Sequence, residues 1–447
     1  MGGAQRLGLR ARQRERGHLG RGDWRRVWWR CVLGEGKKLS GEVVISGSKN
    51  ASLPIIISSL LFDDSVQFEN VPKVKDIYTL ISLIKLLGRE VQFNENEEIL
   101  KISKKYKDKY FAPYSIMKTM RAGVLVLAPL LAKFGKARVS LPGGCSIGAR
   151  PVNLHLEALK KLGAKINVKN GYIDASAPKG LSGAHIKFPS ISVGATESII
   201  IAAVLAKGVT KISNAAMEPE IIDLINFLNK CGADIEFNSK RKIIIKGVKF
   251  LYPVRHRIIP DRIEAATYAI AALITNGKLI IKKVNNDHLE NIFNVLIKIG
   301  ANIKTFKDSF VIFRKHQLKP FKIITKPYPG FPTDMQAQFM ALATQIKGAS
   351  VINEEIFENR FLHVSELMRM GADIKIKKQK ATIKGIKNLN SAEVMATDLR
   401  ASVSLVLAAL SAKGTTTINR IYHLDRGYSK LEKKLNLCGA NIKRVND

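Results

Sequence analysis

The sequence predicts an α/β protein of two domains, in which each domain contains three repeats of about 70 residues with helices inside and sheets outside. Three observations support this fold class: the length of 447 residues, a glycine motif that recurs six times, and helices that are apolar on almost every side. A chain of this length exceeds one ordinary hydrophobic core and suits two domains of roughly 200 residues each.

The recurring motif consists of an apolar residue or cysteine, a glycine, usually an alanine, a polar residue, and isoleucine or valine. Its glycines lie 75, 69, 68, 71 and 68 residues apart; they are Gly88, Gly163, Gly232, Gly300, Gly371 and Gly439. Each copy is typical of a helix that ends at the glycine and is followed by a strand, because a left-handed glycine closes a helix without a Cβ clash. A second helix–glycine–strand signal lies inside five of the six repeats. We therefore expect two helices and several strands in each repeat.

Two of the predicted helices, Ser198–Ala206 and Ser402–Leu410, are apolar almost all round. Helices of this kind belong in the interior of a domain, so the usual arrangement of α/β proteins is reversed here. Six repeats of this kind suggest two domains of three repeats each.

Residues 1–36 differ in composition from the rest of the chain. They contain nine arginines, all three tryptophans and no lysine, whereas the remainder is rich in lysine. The segment lacks the apolar stretch of a secretory signal, and its acidic residues and absence of serine make a poor transit peptide. We interpret 1–36 as an Arg- and Trp-rich extension foreign to the repeat domains, although Val27–Leu33 is a candidate for the first strand.

The bulk composition argues against a membrane protein and against a disulfide framework or metal site. No apolar run reaches the roughly 18 residues that a membrane span requires. The four cysteines, Cys31, Cys145, Cys231 and Cys438, are scattered without ligand-like spacing, which fits a reducing compartment.

The net charge of +36 is distributed along the whole chain, as a codon-biased genome would produce. A surface for polyanions is the alternative, but the sequence contains no basic stripe interleaved with aromatic residues that would indicate nucleic-acid binding.

Each repeat contains one helix that opens with polar or charged residues just ahead of its apolar stretch. Capping of the helix explains serine, threonine and aspartate at such positions. It does not explain Lys49, Arg121, Arg262 and Arg400, because a cation is mildly unfavourable at a helix N-terminus. We therefore expect Lys49 and Arg121 to bind anions, which helix N-termini attract.

Three further segments contain residues suited to acid–base chemistry or anion binding. The glycine-rich loop Leu141–Pro151 carries Cys145 and Arg150, a combination that suits a mobile loop with a thiol proton donor, the alternative being an ordinary surface loop. Asp334 follows three prolines and suits either a general base or a helix cap. Arg420–Tyr428 clusters charges, for which a solvated turn is the alternative interpretation.

Nine segments, in order from about Lys38 to the C-terminus, resemble the UDP-N-acetylglucosamine enolpyruvyl transferases. Any one segment alone would be a weak match, whereas nine in order are highly specific. The segments are GEVVISGSKNASLP (Gly41–Pro54), KTMRAG (Lys118–Gly123), LPGGCSIGARPVNLH (Leu141–His155), SVGATE (Ser192–Glu197), EPEIID (Glu218–Asp223), FPTDMQAQ (Phe331–Gln338), FENRF (Phe357–Phe361), ATDLRAS (Ala396–Ser402) and YHLDRGY (Tyr422–Tyr428).

The resemblance implies an inside-out α/β barrel in each of two domains and a cytoplasmic transferase without cofactor or metal. The first three-repeat domain would comprise residues 49–259 and the second residues 37–48 together with 260–447, with the active site in the cleft between them. Its activity would be transfer of the enolpyruvyl group of phosphoenolpyruvate to the 3-hydroxyl of UDP-N-acetylglucosamine, with release of phosphate. This reaction is the first committed step of peptidoglycan precursor synthesis, on which the cell wall, cell shape and cell division depend. No nucleic acid or membrane would be a partner.

The resemblance also implies roles for individual residues. Lys49, Asn50, Arg150 and Arg426 would bind phosphoenolpyruvate, and Lys49 and Arg426 would also belong to the catalytic set. Cys145 would donate a proton to the methylene carbon of phosphoenolpyruvate, and the antibiotic fosfomycin should alkylate it. Asp334 would accept the proton of the sugar hydroxyl, while Arg360 and Arg400 would support the closed cleft. The nucleotide sugar would contact Arg121, Arg150, Pro151, Val152, Asn153, Leu154, Ser190, Ile191, Ser192, Val193, Asp334 and Ile356.

Two positions depart from the family pattern, and three other functions compete with the one that the resemblance implies. Ser190 stands where some members have lysine, and Asn153 replaces a common aspartate. The sister enzyme, a shikimate-phosphate enolpyruvyl transferase, lacks the PGGC loop and has serine where Asn50 stands. A basic nucleic-acid-binding protein is favoured by charge alone, and an inactive paralogue is disfavoured because Lys49, Cys145, Asp334 and Arg426 are all present.

Overall fold

The computed structural model describes residues 29–34, 36–143 and 152–446. Its α-helices in these ranges are α1 (Lys49–Ser58), α2 (Lys75–Leu86), α3 (Tyr114–Met117), α4 (Leu127–Phe134), α5 (Asn153–Lys161), α6 (Val193–Ala203), α7 (Pro219–Lys230), α8 (Arg262–Ile274), α9 (Glu290–Lys298), α10 (Gln336–Ala343), α11 (Val364–Arg369), α12 (Leu399–Ala409) and α13 (Leu431–Leu437). Short 3-10 helices cover Ser59–Leu61, Arg121–Val126, Asn286–Leu289, Thr333–Met335 and Ile421–Arg426. Among the described residues, no helix has both the length and the apolar character that a bilayer crossing requires.

The strands in the described ranges are short, from two to six residues each. They are β1 (Trp29–Leu33), β2 (Ser40–Val44), β3 (Val66–Glu69), β4 (Arg89–Asn94), β5 (Ile99–Lys104), β6 (Phe111–Ala112), β7 (Lys136–Ser140), β8 (Lys165–Lys169), β9 (Tyr172–Ser176), β10 (His185–Lys187), β11 (Val209–Ser213), β12 (Asp234–Asn238), β13 (Lys242–Lys246), β14 (Arg255–Arg257), β15 (Lys278–Lys282), β16 (Ala301–Thr305), β17 (Ser309–Arg314), β18 (Lys322–Ile324), β19 (Ala349–Asn353), β20 (Asp373–Lys377), β21 (Lys380–Lys384), β22 (Glu393–Met395), β23 (Thr416–Asn419) and β24 (Ile442–Asn446).

The strands form six four-stranded sheets of one topology. In every sheet, in the strand orders given below, the first strand is parallel to the second, and the other neighbouring strands are antiparallel. The strand orders are β14-β3-β5-β4, β6-β7-β9-β8, β10-β11-β13-β12, β2-β15-β17-β16, β18-β19-β21-β20 and β22-β23-β1-β24. Three sheets therefore recruit a strand that is remote in sequence: β14 in the first, β2 in the fourth and β1 in the sixth.

The helices lie inside and the sheets outside, which confirms the fold class expected from the sequence. Every residue of α8 and of α10 is buried. In β13 only one face is buried, because Ile243 and Ile245 have no exposed surface whereas the lysines at its two ends are exposed. The six motif glycines all have positive φ, between 90° and 106°, as a residue that closes a helix in the left-handed region requires.

The buried apolar side chains form two separate cores. One core uses side chains between Ala51 and Ile258, and the other uses Cys31–Ile45 together with Ile263–Ile442. The chain passes between the cores at two adjacent segments, where the Ser48 N–H donates to the Ile259 carbonyl at 2.7 Å. We therefore retain, as our proposal, a first domain of residues 49–259 and a second domain that includes 37–48 and 260–447.

The interpretation of residues 1–36 as foreign to the fold was wrong for residues 29–34. Strand β1 pairs with both β23 and β24, and its side chains Cys31 and Leu33 are only 1% exposed in the second core. The arginines and tryptophans that dominate the segment masked the short apolar alternation within it. The candidate strand Val27–Leu33 overlaps β1, and residues 1–28 lie outside the described part of the chain.

Candidate active site

The site begins where α1 starts, at the crossing between the two cores. Ser48 caps α1, since its Oγ accepts a hydrogen bond from the Ala51 N–H at 3.3 Å. The Lys49 N–H donates to Asp261 Oδ2 at 3.3 Å, and Asp261 in turn caps α8. Lys49 is thereby fixed between helices that belong to different cores, with its side chain directed toward α2.

Lys49 and Arg426 share one carboxylate. Lys49 Nζ lies 3.3 Å from Asp76 Oδ2, and Arg426 Nε donates to Asp76 Oδ1 at 2.9 Å. Asp76 stands in the first turn of α2, and its side chain is 5% exposed. The structure therefore brings together the two cations predicted for phosphoenolpyruvate. Asp76 was not predicted, because an acid in the first turn of a helix is ordinary and gives no distinguishing signal.

Asp334 is the centre of a second ionic cluster, in the 3-10 helix before α10. Arg360 Nη2 donates to its Oδ1 at 2.6 Å, and Arg400 Nη2 donates to its Oδ2 at 2.7 Å. Asn50 Nδ2 lies 3.4 Å from the same Oδ2 atom and so connects this cluster to the start of α1. Five of the predicted residues, Lys49, Asn50, Asp334, Arg360 and Arg400, thus line one continuous polar region.

Both arginines of this cluster are held by further contacts that the sequence did not reveal. Arg360 Nη1 donates to Thr333 Oγ1 at 3.0 Å, and Thr333 donates to the buried Glu354 at 2.8 Å. Glu354 also accepts the backbone N–H groups of Ile356 and Phe357, each at 3.0 Å. Ile356, predicted to contact the nucleotide sugar, is therefore tied to the Asp334 cluster.

Arg400 is fixed by Tyr428 in addition to Asp334. Its Nη1 donates to the Tyr428 hydroxyl at 3.1 Å, and its guanidinium lies 5.8 Å from the centre of the Tyr428 ring. Arg400 follows the cap of α12, where Asp398 accepts the Arg400 N–H at 2.8 Å. The guanidinium can thus keep one orientation whether or not a substrate is bound.

The fixed charges set the protonation states of the site. Burial raises the pKa of the Asp334 carboxyl, but the charges and hydrogen bonds of Arg400 and Arg360 outweigh it and hold that pKa well below its usual range. Burial lowers the pKa of Lys49, while the Asp76 carboxylate opposes the decrease. Asp334 is consequently ionised at neutral pH, and Asp76 helps to keep Lys49 charged.

The segments predicted to contact the nucleotide sugar lie at the starts of α5 and α6, which pack together. Val152 and Leu154 are half-buried and Asn153 is exposed, at the start of α5. Ser192 caps α6 through the Ala195 N–H at 3.3 Å; Ile191 beside it is half-buried, whereas Ser190 and Val193 are exposed. The N-terminal N–H groups of α6 can therefore face a phosphate.

His155 joins α5 to α6 next to Arg121. Its Nδ1 lies 2.9 Å from Ser198 Oγ, and a Cβ on Gly194 would come within 3.0 Å of the imidazole ring. Burial, with a smaller effect of the Arg121 charge, lowers the pKa of His155 to about 4. The imidazole is thus neutral at physiological pH, and the Arg121 charge lies close enough to influence it.

Cys145, Arg150 and Pro151 lie outside the described residues, which resume at Val152. The cysteines of the described ranges, Cys31, Cys231 and Cys438, are free and buried. Burial raises the pKa of Cys231 to about 12, so this thiol is a poor proton donor at neutral pH. Within the same ranges, no group of three or more His, Cys, Asp or Glu side chains is arranged to hold a metal ion.

The sequence is similar to curated enzymes over almost its whole length. A family model described as EPSP synthase (3-phosphoshikimate 1-carboxyvinyltransferase) matches residues 33–435. The UDP-N-acetylglucosamine 1-carboxyvinyltransferase of Pelagibacter ubique is 56% identical over 409 residues, which cover 92% of this chain and 98% of that protein. The enzyme of the same name from Geotalea uraniireducens is 54% identical over 419 residues, 94% of this chain and 100% of that protein.

Solved structures of lower sequence identity share the fold. The enolpyruvyl transferase NikO from Streptomyces tendae superposes with a TM-score of 0.86 at 24% identity, and the match covers 94% of this chain and 100% of that one. An EPSP synthase from Acinetobacter baumannii superposes with a TM-score of 0.72 at 17% identity, covering 93% and 100% of the two chains. At these identities the likeness establishes the architecture alone.

Proposed function

The chain belongs to the enolpyruvyl transferase family, among the UDP-N-acetylglucosamine 1-carboxyvinyltransferases, and we propose that it transfers the enolpyruvyl group of phosphoenolpyruvate to the 3-hydroxyl of UDP-N-acetylglucosamine. The products would be the enol ether of the sugar and phosphate. The observation that carries this proposal is the convergence of Lys49, Asn50, Asp334 and Arg426 on one cleft between the two cores. Under this proposal the reaction is the first step of peptidoglycan precursor synthesis and takes place in the cytoplasm.

The donor is bound by paired cations. Phosphoenolpyruvate carries a phosphate and a carboxylate, and Lys49 and Arg426 lie on either side of Asp76, at 3.3 and 2.9 Å from its two oxygens. A guanidinium can bind a planar carboxylate through two parallel hydrogen bonds, whereas an ammonium acts as a point charge for phosphate. We assign Lys49 and Arg426 to the two acidic groups of the donor, with Asn50 beside them. Arg150, from the glycine-rich loop Leu141–Pro151, would also bind the donor.

The first chemical step is protonation of the donor. The Cys145 thiol gives its proton to the methylene carbon of phosphoenolpyruvate, and the adjacent carbon becomes electrophilic. The 3-oxygen of the sugar then forms a bond to this carbon while its proton passes to Asp334. The resulting tetrahedral intermediate returns a methyl proton to the Cys145 thiolate and loses phosphate, which takes up the proton held by Asp334. This elimination restores the carbon–carbon double bond and leaves the enol ether.

Asp334 serves this step as a base of fixed orientation. Its two oxygens each accept a hydrogen bond from one guanidinium, so the carboxylate cannot rotate away from the cleft. Asn50 makes the longest of the three contacts with Asp334, at 3.4 Å, and a sugar hydroxyl could replace it. The two arginines hold the pKa of Asp334 well below its usual range, so the carboxylate is ionised and able to accept a proton at neutral pH.

The acceptor occupies the region between the starts of α5 and α6 and the Glu354–Ile356 turn. Arg121, Val152–Leu154 and Ser190–Val193 come from the first core, and Ile356 comes from the second. We assign the diphosphate to the N-terminus of α6 and to Arg121, and the sugar to the Asp334 side of the cleft. Arg150 and Pro151 complete the set on the nucleotide side.

The proposal is tested by measuring release of phosphate from phosphoenolpyruvate by the purified protein. UDP-N-acetylglucosamine and shikimate 3-phosphate are compared as acceptors, because the family model carries the name of the shikimate enzyme. We expect release only with the nucleotide sugar. Release only with shikimate 3-phosphate would assign the chain to the sister reaction, and release with neither, from folded protein, would favour an inactive paralogue.

A further inference from the structure

One carboxylate in the cleft belongs to none of the roles assigned above. Asp76 lies on α2 in the first core, whereas Arg426 lies in the second core and Lys49 stands at the crossing between them. Arg426 donates to both Asp76 oxygens, from Nε at 2.9 Å and from Nη2 at 3.4 Å, and Lys49 Nζ lies 3.3 Å from Oδ2. A single buried acid thus joins the two cations across the cleft.

Asp76 is important for charge compensation at Lys49, as the other charged groups around the ammonium indicate. The groups that face Lys49 are the carboxylates of Asp76, Asp334 and Asp261 and the guanidiniums of Arg400 and Arg426. Asp334 is already paired with two guanidiniums, and Asp261 accepts the Lys49 backbone N–H and caps α8. Asp76 is therefore the carboxylate that compensates the Lys49 ammonium directly.

We propose that Asp76 is a positioning residue for the enolpyruvyl donor: it holds the Lys49 ammonium and the Arg426 guanidinium at a fixed separation before phosphoenolpyruvate arrives. This inference rests on the proposed function, which assigns both cations to that donor. Two neighbouring cations without a carboxylate between them would repel each other, and their side chains would move apart. A site that is organised in advance loses less free energy when it orders around its ligand.

The same geometry predicts a pH effect. Burial and the neighbouring arginines lower the pKa of Lys49, and Asp76 counters them. Removal of the Asp76 charge should lower the pKa of Lys49 further, so that the ammonium loses its proton at a lower pH. Binding of phosphoenolpyruvate, which requires the charged ammonium, should then weaken as the pH rises, whereas binding of UDP-N-acetylglucosamine should not.

The test compares Asp76→Asn, which removes the charge at constant shape, with Asp76→Glu, which retains it. Asp174→Asn is the matched control, because Asp174 is 43% exposed and pairs with Arg138 at 3.5 Å, away from the cleft residues described here. For each protein, kcat and both KM values are measured between pH 6 and pH 10. Circular dichroism and thermal unfolding establish that each variant is folded.

For Asp76→Asn we expect the KM for phosphoenolpyruvate to rise about tenfold or more at pH 8.5, and its alkaline limb to move to lower pH, since a change of one unit in pKa is a tenfold change in the charged fraction. The KM for UDP-N-acetylglucosamine should change less than twofold. Asp76→Glu should keep the wild-type alkaline limb even where the KM rises. The control should match the wild type throughout.

A wild-type KM and a wild-type pH profile for Asp76→Asn would overturn the proposal. An equal loss for both substrates, or an identical pH profile in Asp76→Asn and Asp76→Glu, would assign Asp76 a purely structural role and would also overturn it. If Asp76→Asn does not fold, the Asp76→Glu profile and calorimetric titration of phosphoenolpyruvate into Arg426→Lys, with the expected loss of affinity, decide the question.

Failure of the proposed function gives a different result. The wild-type protein would then release no phosphate with UDP-N-acetylglucosamine, before any variant is considered. Calorimetric titration of phosphoenolpyruvate into the wild type and Asp76→Asn at pH 6.5 and 8.5 does not depend on turnover. A pH-dependent difference there would support the role of Asp76, and its absence would contradict that role.

Discussion

Three cations stand at or beside the starts of α1, α8 and α12, where a positive charge opposes the helix dipole. Each is compensated by a carboxylate from another element: Lys49 by Asp76, Arg262 by Glu220 and Arg400 by Asp334. The charges thus stabilise contacts between elements instead of their own helices. At Lys49 and Arg400 the compensating acids line the cleft, so these positions serve the site.

Replacement of Asp334 by asparagine tests its role as the base. The isosteric amide cannot accept the sugar proton, and it leaves Arg360 and Arg400 without a charged partner. We expect kcat to fall by about 10²–10⁴, a range typical of the loss of a general base. Steady-state phosphate release measures the effect. The control is Asp234→Asn on the surface, where Asp234 is 46% exposed and lies 3.2 Å from Lys246; an equal loss of kcat in both variants would contradict the assignment.

Cys145 is tested by its chemistry. Cys145→Ala should be nearly inactive and still bind UDP-N-acetylglucosamine, because only the proton donor is lost. Fosfomycin should alkylate the wild type once, at Cys145, since Cys31, Cys231 and Cys438 are buried. Cys145→Asp should resist the drug, as peptide mass spectrometry and residual activity would show. Equal inhibition of the wild type and Cys145→Asp would refute the assignment of this thiol.

The sequence predicted the substrate-binding and acid–base residues of the candidate site, but not the residues that hold them in place. Lys49, Asn50, Asp334 and Arg426 lie in motifs that the family resemblance marks, and the structure places them near one another. Asp76 lies 350 residues from Arg426 in the chain, so no local pattern could indicate their contact. Thr333 and Tyr428 fall inside recognised motifs, but their support of Arg360 and Arg400 depends on side-chain geometry alone.

At the scale of elements, strand β1 connects the N-terminal region to the sheet that contains the C-terminal strands β23 and β24. Five of the six sheets take their third strand from the repeat itself, as β5, β9, β13, β17 and β21 do; the sixth takes β1 from the N-terminal region. Strand β1 lies between β23 and β24 and forms ladders with both. Without it, two strands near the C-terminus would expose unpaired backbone groups.

Truncation at two positions tests the contribution of β1. Removal of residues 1–28 leaves β1 intact, and we expect the unfolding temperature and activity to match those of the whole chain. Removal of residues 1–34 deletes β1 and exposes the pocket of Leu33, which should cost at least about 3 kcal/mol, since burial of one aliphatic side chain is worth about 1.5–3 kcal/mol before the lost ladders are counted. Thermal unfolding compares the two. Equal stability would show that β1 is dispensable.

The fold was predictable where local chemistry determines it. The motif glycines require positive φ and therefore mark helix ends, and helices without a polar face must be buried. Strand β1 was obscured because its composition resembles the preceding arginine-rich segment and its partners lie about 400 residues away. Long-range strand pairing leaves no signature in a short stretch of sequence.

At the scale of the whole molecule, the two cores are linked by more than the crossing segments. Glu220 in α7 and Arg262 in α8 form a buried ion pair at 3.0 Å, with side chains 5% and 8% exposed. Nearby, Arg241 donates to the Tyr328 carbonyl, and the Tyr328 N–H donates to Glu218 at 3.4 Å. Each of these contacts joins a residue of the first domain to one of the second, as the Asp76–Arg426 pair also does. Together the contacts fix the relative orientation of the two cores.

Removal of one partner from the Glu220–Arg262 pair should destabilise the junction more than any surface ion pair. Glu220→Gln removes the direct ion-pair partner of the buried Arg262 guanidinium and leaves only the more distant charges of Glu218 and Asp334. Loss of one partner of a buried pair typically costs about 3–5 kcal/mol. Glu236→Gln, whose Glu236 is 66% exposed and lies 3.6 Å from Lys246, should change stability by less than about 1 kcal/mol. Chemical denaturation followed by circular dichroism measures both.

A double variant separates the charge effect from a packing defect. In Glu220→Gln/Arg262→Met neither member of the pair remains as a charge without its partner, and replacement of a buried ion pair by apolar groups is often neutral. We expect the double variant to be more stable than Glu220→Gln and close in stability to the wild type. If the two cores unfold together in the wild type, the double variant should also unfold in one transition. If the double variant is as unstable as Glu220→Gln, shape at this junction and not charge compensation holds the cores together.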